Sequence, residues 1–357
     1  MSHIPKDEVH YKPEQRELLL AEPRWQYAKD QVDPDVLKDN FNFLNQGVVI
    51  RGNAEGIPLM KTTGIYGPIE KHDRVQLHQG VDRTVTLVSK VEEEDESKHL
   101  LNQLKKLKAT SRAPEPDLCA KVHAKWISGE DGGRLPSVGA SSNVFGTTGS
   151  LLINDTEIVF PEIDTSHPKF HDTLAYYGAK LLKPKEEFYM GYDKPIFGME
   201  YETSLPGYIQ DYVMKPYGGG GLFVEHHPFP HIWFPNPTES EKDTNICRVL
   251  LGRIIPENEE QHDEQVADYL CEEDECFLIT GNQSNPEYRF TVFHIPLDGS
   301  ALAVDECTIH NDSFCNGKQV VFLANTKANT VALRETAPFE NLRVSHVNPY
   351  VGPPKQD

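Results

Sequence analysis

The chain has 357 residues, 38% of them hydrophobic, and a formal net charge of -20 at pH 7. That charge argues against nucleic acid and anionic membrane surfaces as partners, because both reward a basic surface; a small anionic substrate stays open, since one local cationic pocket can override the global field. No apolar run approaches the ~20 residues needed to span a bilayer, and the opening MSHIPKDEVHYKPEQRELLL lacks the basic-then-apolar pattern of a secretory signal, so the expected location is cytoplasmic.

Residues 1–47 read as a helical N-terminal arm. KPEQRELLLAEPRWQYAKD is interrupted by Pro23, and DPDVLKDNFNFLNQG begins on an Asp cap and stops at Gly47. From Val48 the texture becomes short β-rich runs between Gly and Pro (VVIRG, GIYGPI, RVQLHQG, RTVTLVSKV), which predicts a first β-barrel over 48–205. A charged insertion, 92–117, interrupts it, with Leu100, Leu101, Leu104 and Leu107 on one face of a short helix. Strand patterns resume at LCAKVHAKWIS and GSLLINDTEIVFPEI, and a short helix around TLAYYGAKLLK separates the halves. A second barrel is expected over 206–335, followed by a tail, 336–357. The six cysteines (Cys119, Cys247, Cys271, Cys276, Cys307, Cys315) form neither a CxxC nor a dense framework and are expected as reduced thiols.

The densest chemical cluster is GGGGLFVEHHPFPHIWFPNP, residues 218–237, which sets His226, His227 and His231 beside Glu225, Phe229 and Trp233. Alternation along a strand gives His227, Phe229, His231 and Trp233 one face and His226 the other. Residues four apart on a strand are about 13 Å apart at Cα, so two imidazoles there share an ion only if the chain bends. Pro228 and Pro230 favour that bend, or an edge position. The competing reading is an edge strand with aromatic packing and hydrogen-bonded histidines. No GxGxxG follows a strand, and no G-x-S-x-G or HExxH occurs. The His72-Asp73 and His171-Asp172 pairs are adjacent, so on strands they would face opposite ways.

Gly299, ten intervening residues and then His310 match the second metal-binding motif of the cupins, and Asp274 with Gly281 matches the end of the first. The chain resembles that family, with a shorter likeness to ureidoglycolate-lyase cupins at Glu225-His226-His227-Pro228 and Trp233-Phe234-Pro235. The resemblance implies a mostly β fold of double-stranded β-helix (cupin) barrels, two of them as in bicupins. It also implies a divalent metal held by His310. Where the family carries its His-x-His pair this chain has Asp268, Tyr269 and Leu270, so the missing imidazoles are sought in His226, His227 and His231, with Glu275 as the carboxylate. Glu273 and Asp274 are alternative carboxylates, and His294 is balanced between a pocket and a solvent face. Mixed His and carboxylate donors suit Fe, Mn, Zn or Ni alike. Tyr269 and Tyr212 are candidate acids or bases. The expected activity is a metal-assisted lyase or isomerase on a small, polar, carboxylated metabolite. An Fe(II) dioxygenase and a non-catalytic small-molecule-binding cupin are the alternatives, and a homodimer is an open option.

Overall fold

Short apolar runs bounded by Gly, Pro and Asn form strands along most of the described chain. The computed structural model describes residues 51–52, 58–69, 73–77, 83–87, 112–128, 149–155, 157–183, 196–203, 222–226, 231–255, 286–305, 308–312, 314–324, 329–335 and 343–347. The arm 1–47 and the insertion as far as residue 111 lie outside these residues. The first elements are β1 (Arg51–Gly52), β2 (Pro58–Ile69), β3 (Asp73–Leu77), β4 (Arg83–Leu87), β5 (Ala120–His123), β6 (Lys125–Ser128), β7 (Gly149–Ile153), β8 (Glu157–Ile163), helix α1 (Phe170–Tyr176) and β9 (Ala179–Leu182). There follow β10 (Ile196–Thr203), β11 (Leu222–His226), β12 (His231–Pro235), β13 (Cys247–Ile255), β14 (Glu287–Ile295) and β15 (Ala301–Val304). The last are β16 (Ile309–Asn311), β17 (Gly317–Ala324), β18 (Asn329–Glu335) and β19 (Arg343–Val347).

The fold is mostly β, as expected. One sheet has seven strands in the order β1-β2-β10-β17-β12-β15-β9, and the other runs β19-β8-β14-β13-β16-β11-β18-β7-β6 with β5 also on β14. Within them, β10 to β17 follow a nested rule. β13 pairs with β14, β12 with β15, β11 with β16 and β10 with β17, all antiparallel, as in one long hairpin folded over on itself. The seams β12–β17 and β13–β16 join the folded hairpin into two four-strand sets.

Of the strands expected to form a separate first barrel over 48–205, β3 and β4 pair with each other as a two-stranded sheet, and the others extend these same two large sheets. An open strand edge is a liability, and β2 covers β10, β9 covers β15, and β5 and β8 cover β14. The expected boundary at residue 205 falls between β10 and β11, consecutive strands of one nested unit. The tail also contributes, since β19 pairs in parallel with β8. The predicted helix around TLAYYGAKLLK is shorter than expected: Gly178, at φ 70, ends it in the left-handed conformation, and AKLL becomes β9.

Positions opposed across a ladder share a face, so Thr291, Leu251, His310 and Glu225 make one row over β14, β13, β16 and β11. That face looks toward the seven-stranded sheet, because His310 meets His231 and Trp233 of β12 and Asp312 meets Tyr201 of β10. The opposite face packs a second, apolar core. Leu250, Ile254, Phe290, Val292 and Ile309 join Phe160, Leu151 and Val122 there, and Phe160 meets Phe290 edge-on at 5.6 Å. Gly252 lies on that side because a Cβ would come within 2.4 Å of the Phe290 ring. With both faces covered, β13 and β14 read as nearly continuous apolar runs.

A polar clamp fixes the connection from β12 to β13. The Glu241 carboxylate accepts the Thr238 N–H at 2.8 Å and the ammonium of Lys318 on β17 at 2.8 Å. Asn245 Oδ1 accepts the Lys318 N–H at 2.5 Å, beside Gly317 at φ 81. A Cβ on Gly317 would sit 2.3 Å from that oxygen as well as straining the backbone. Gly317→Ala is therefore expected to cost about 1–3 kcal/mol, read from urea unfolding midpoints; an unchanged midpoint would refute the clamp. Burial raises the Glu241 pKa, but the bonds from Lys318 and Thr238 outweigh it and bring it down from 4.5 to about 2. The unfolded chain then takes up this proton first as pH falls, so the contribution is full above 4.5 and lost on the way to 2. Glu241→Gln should flatten the fall in stability over that window, measured by denaturant titration at each pH.

Candidate functional site

His231 opens β12 and His310 is the middle residue of β16, so the two belong to different sheets. Their rings meet across the gap, with centroids 4.9 Å apart and planes tilted by 53°. Trp233, two residues along β12 on the same face, stands edge-on to both, 4.5 Å from His231 and 5.1 Å from His310. All three are buried, His310 at 2% exposure and His231 at 6%, which keeps bulk water from the pair.

Chemistry fixes much about the two imidazoles. His310 Nδ1 lies 2.7 Å from the Thr308 carbonyl. A carbonyl only accepts, so Nδ1 carries a proton and its bond to Thr308 fixes the orientation of the ring. Burial, then the neighbouring His310, pushes His231 well below the usual imidazole range, so it is neutral at physiological pH. A neutral His231 ring in contact with the His310 ring suits a cation better than an added proton.

The ladder adds a carboxylate position. Glu225 of β11 is the direct register partner of His310, whereas His226 pairs with Asn329 and its register falls on the other sheet face. His226, expected near His310 from sequence, stands one position along β11 from the residue that pairs with His310. His227, Tyr212, Tyr269 and Glu275, with the whole stretch 256–285, lie outside the described residues. Among the described side chains, no group of three or more His, Cys, Asp or Glu forms a ready cage; Glu225 and His227 are not among those side chains. His294 lies on the opposite sheet face from His310, with Nδ1 3.7 Å from Glu162 Oε1.

Three interior tyrosines, Tyr177, Tyr201 and Tyr288, are held as neutral phenols. Burial, and then the Asp312 charge, raises the Tyr201 pKa, and its hydroxyl donates to Asp312 at 2.5 Å. Burial likewise raises Tyr177, which pairs with Thr291 at 2.8 Å, and Tyr288. None of these three is poised to give up a proton near neutrality. Cys119, Cys247 and Cys315 are buried and form no disulfide, and burial raises Cys119 and Cys315 further from reactivity.

Two arginines on the His310 face, Arg253 and Arg289, were not singled out by sequence. Their signal was present as charges inside otherwise apolar strands, CRVLLGRII and EYRFTVFHI. No helix among the described residues is long and apolar enough to cross a membrane. Comparison with known proteins returns no matching family model, curated protein or solved structure.

A depressed imidazole makes stability depend on pH. Below 6.5 the unfolded chain protonates at His231 while the folded one resists, so stability falls as pH drops from that value. In chelator-treated protein, His231→Gln should lose stability less steeply between pH 6.5 and 5 than the wild type, by at most about 1.4 kcal/mol per pH unit. Parallel curves in denaturant melts would show that His231 titrates normally.

Proposed function

We propose that the chain is a metal-dependent enzyme of the cupin type, a lyase or isomerase acting on a small, polar, carboxylated metabolite. The observation that carries this reading is the contact of His231 with His310 across two sheets at 4.9 Å, with Glu225 at the register position beside His310. The nested order of β10 to β17 supports a double-stranded β-helix, since eight-stranded jelly rolls, cupins among them, are built from two such antiparallel sets. It favours one barrel rather than two.

The donor set fits a divalent metal. Neutral nitrogen from His231, Nε2 of His310 and a carboxylate from Glu225 are the ligand types that Fe, Mn, Zn and Ni share. His227 adds a further imidazole by sequence, two residues beyond Glu225. When bound, such an ion supplies Lewis-acid polarisation of a carbonyl or carboxylate oxygen. The chain's own residues do the rest. Thr308 holds the His310 ring by its Nδ1–H, Trp233 excludes water, and burial keeps His231 neutral. With the described interior phenols locked as neutral groups, a proton in the reaction is better carried by an imidazole or a carboxylate than by Tyr201 or Tyr177.

Elemental analysis of protein purified without chelators should return about one transition metal per chain. Iron would shift the reading to a dioxygenase, and no metal to a binding barrel. Titration of the chelator-treated protein with Ni(II) should quench tryptophan fluorescence through Trp233. His310→Ala should abolish the quenching, and Glu225→Gln should weaken it on the order of 10–100-fold or more, the range seen when a group that only orients a metal ligand is lost. His226→Ala should leave it unchanged. Equal quenching in the wild type and His310→Ala would remove the metal centre from this site.

A further inference from the structure

Beside the imidazole pair, two positive charges occupy positions that strand pairing ordinarily keeps apart. Arg253 of β13 and Arg289 of β14 are direct register partners, and like charges opposed in an antiparallel pair destabilise it. Both lie on the His310 face, one row from Leu251 and Thr291, so Arg253 is a diagonal neighbour of His310, within reach of a long side chain.

One tyrosine holds the two guanidiniums. Arg289, 5% exposed, donates from Nη1 to the Tyr176 hydroxyl at 3.2 Å and has Nε 3.3 Å from Glu287 Oε1. Arg253 donates from Nη1 to the Tyr176 carbonyl at 3.0 Å and lies over the Tyr176 ring, 4.5 Å from its centroid. Glu287 is shared with Lys121 at 3.8 Å and His123 at 3.6 Å, so one carboxylate faces several cationic or protonatable groups. In a chain of net charge -20, one of these guanidiniums, Arg253, thus stands one row from His310.

We propose that Arg253 binds the carboxylate of a short organic acid whose other end meets the His231–His310 pair. This rests on the metal-centre reading for the far end of the ligand and names the residue that orients the near end. Stacking on Tyr176 fixes the plane of the guanidinium, and a planar fork of N–H donors matches the two oxygens of a carboxylate better than an ammonium does. Two residues of strand separate the Arg253 and Leu251 rows, about 7 Å. That spacing suits an acid of roughly three or four carbons, longer chains overreaching the imidazoles.

The test uses full-length, chelator-treated protein with malonate as the anionic probe and malonamide as its neutral counterpart. Malonate at millimolar concentration is expected to raise the melting temperature of the wild type, and malonamide to leave it unchanged. Arg253→Met should lose the malonate response while keeping Ni(II) quenching of tryptophan fluorescence. Persistence of the response in Arg253→Met, or its absence in the wild type, overturns the proposal. If malonate binds through Arg253 but Ni(II) quenches nothing, the metal reading fails and the anion site stands. Should Arg253→Met not fold, Arg253→Lys must show at least several-fold weaker malonate binding; equal binding overturns the assignment.

Discussion

A polar side chain removed from water must find its partner inside the protein, and between these two sheets that requirement decides the geometry. The Tyr201 phenol reaches from one sheet to Asp312 of the other, and the rings of His231 and Trp233 reach across to His310. Without Asp312, the buried Tyr201 hydroxyl would cost on the order of 1–3 kcal/mol. The sheets are therefore held in one relative position by polar and aromatic contacts as well as by apolar packing. That position brings imidazoles from β12 and β16 together.

The polar interior is tolerable because stability is supplied elsewhere. The ten-stranded sheet turns its other face to the cluster around Phe160, Phe290 and Leu250, which buries aromatic and aliphatic side chains almost completely. One strand thus serves two purposes at alternate residues. In β13, Leu250 and Ile254 secure the apolar core while Leu251 and Arg253 line the face of the candidate site. A substitution on one face need not disturb the other, and this separation lets a small site carry charges that a single core could not absorb.

The same division explains which groups are available for chemistry. Tyr201 and Cys315 are buried and hydrogen-bonded, and burial moves their protons out of the neutral range, which suits fixed structural parts. His231 moves the other way, toward a neutral imidazole able to donate a lone pair. Burial drives both shifts; the sign differs because the charged form is an anion for tyrosine and cysteine and a cation for histidine.

Local sequence determined a good deal. Gly- and Pro-bounded β runs announced a mostly β chain, and alternation gave His231 and Trp233 a common face. Those are properties of neighbours along the backbone, and a two-residue period reads them directly. What the sequence misjudged depends on which strands pair. A separate first barrel was a reasonable inference from strand-like runs, yet nothing local records that β2 and β9 pair with β10 and β15. Which of Glu225 and His226 stands opposite His310 likewise depends on the register of β11 against β16, where a slip of one residue exchanges the two faces. Register and edge pairing are set by contacts between segments far apart in the chain, so only the tertiary structure decided them.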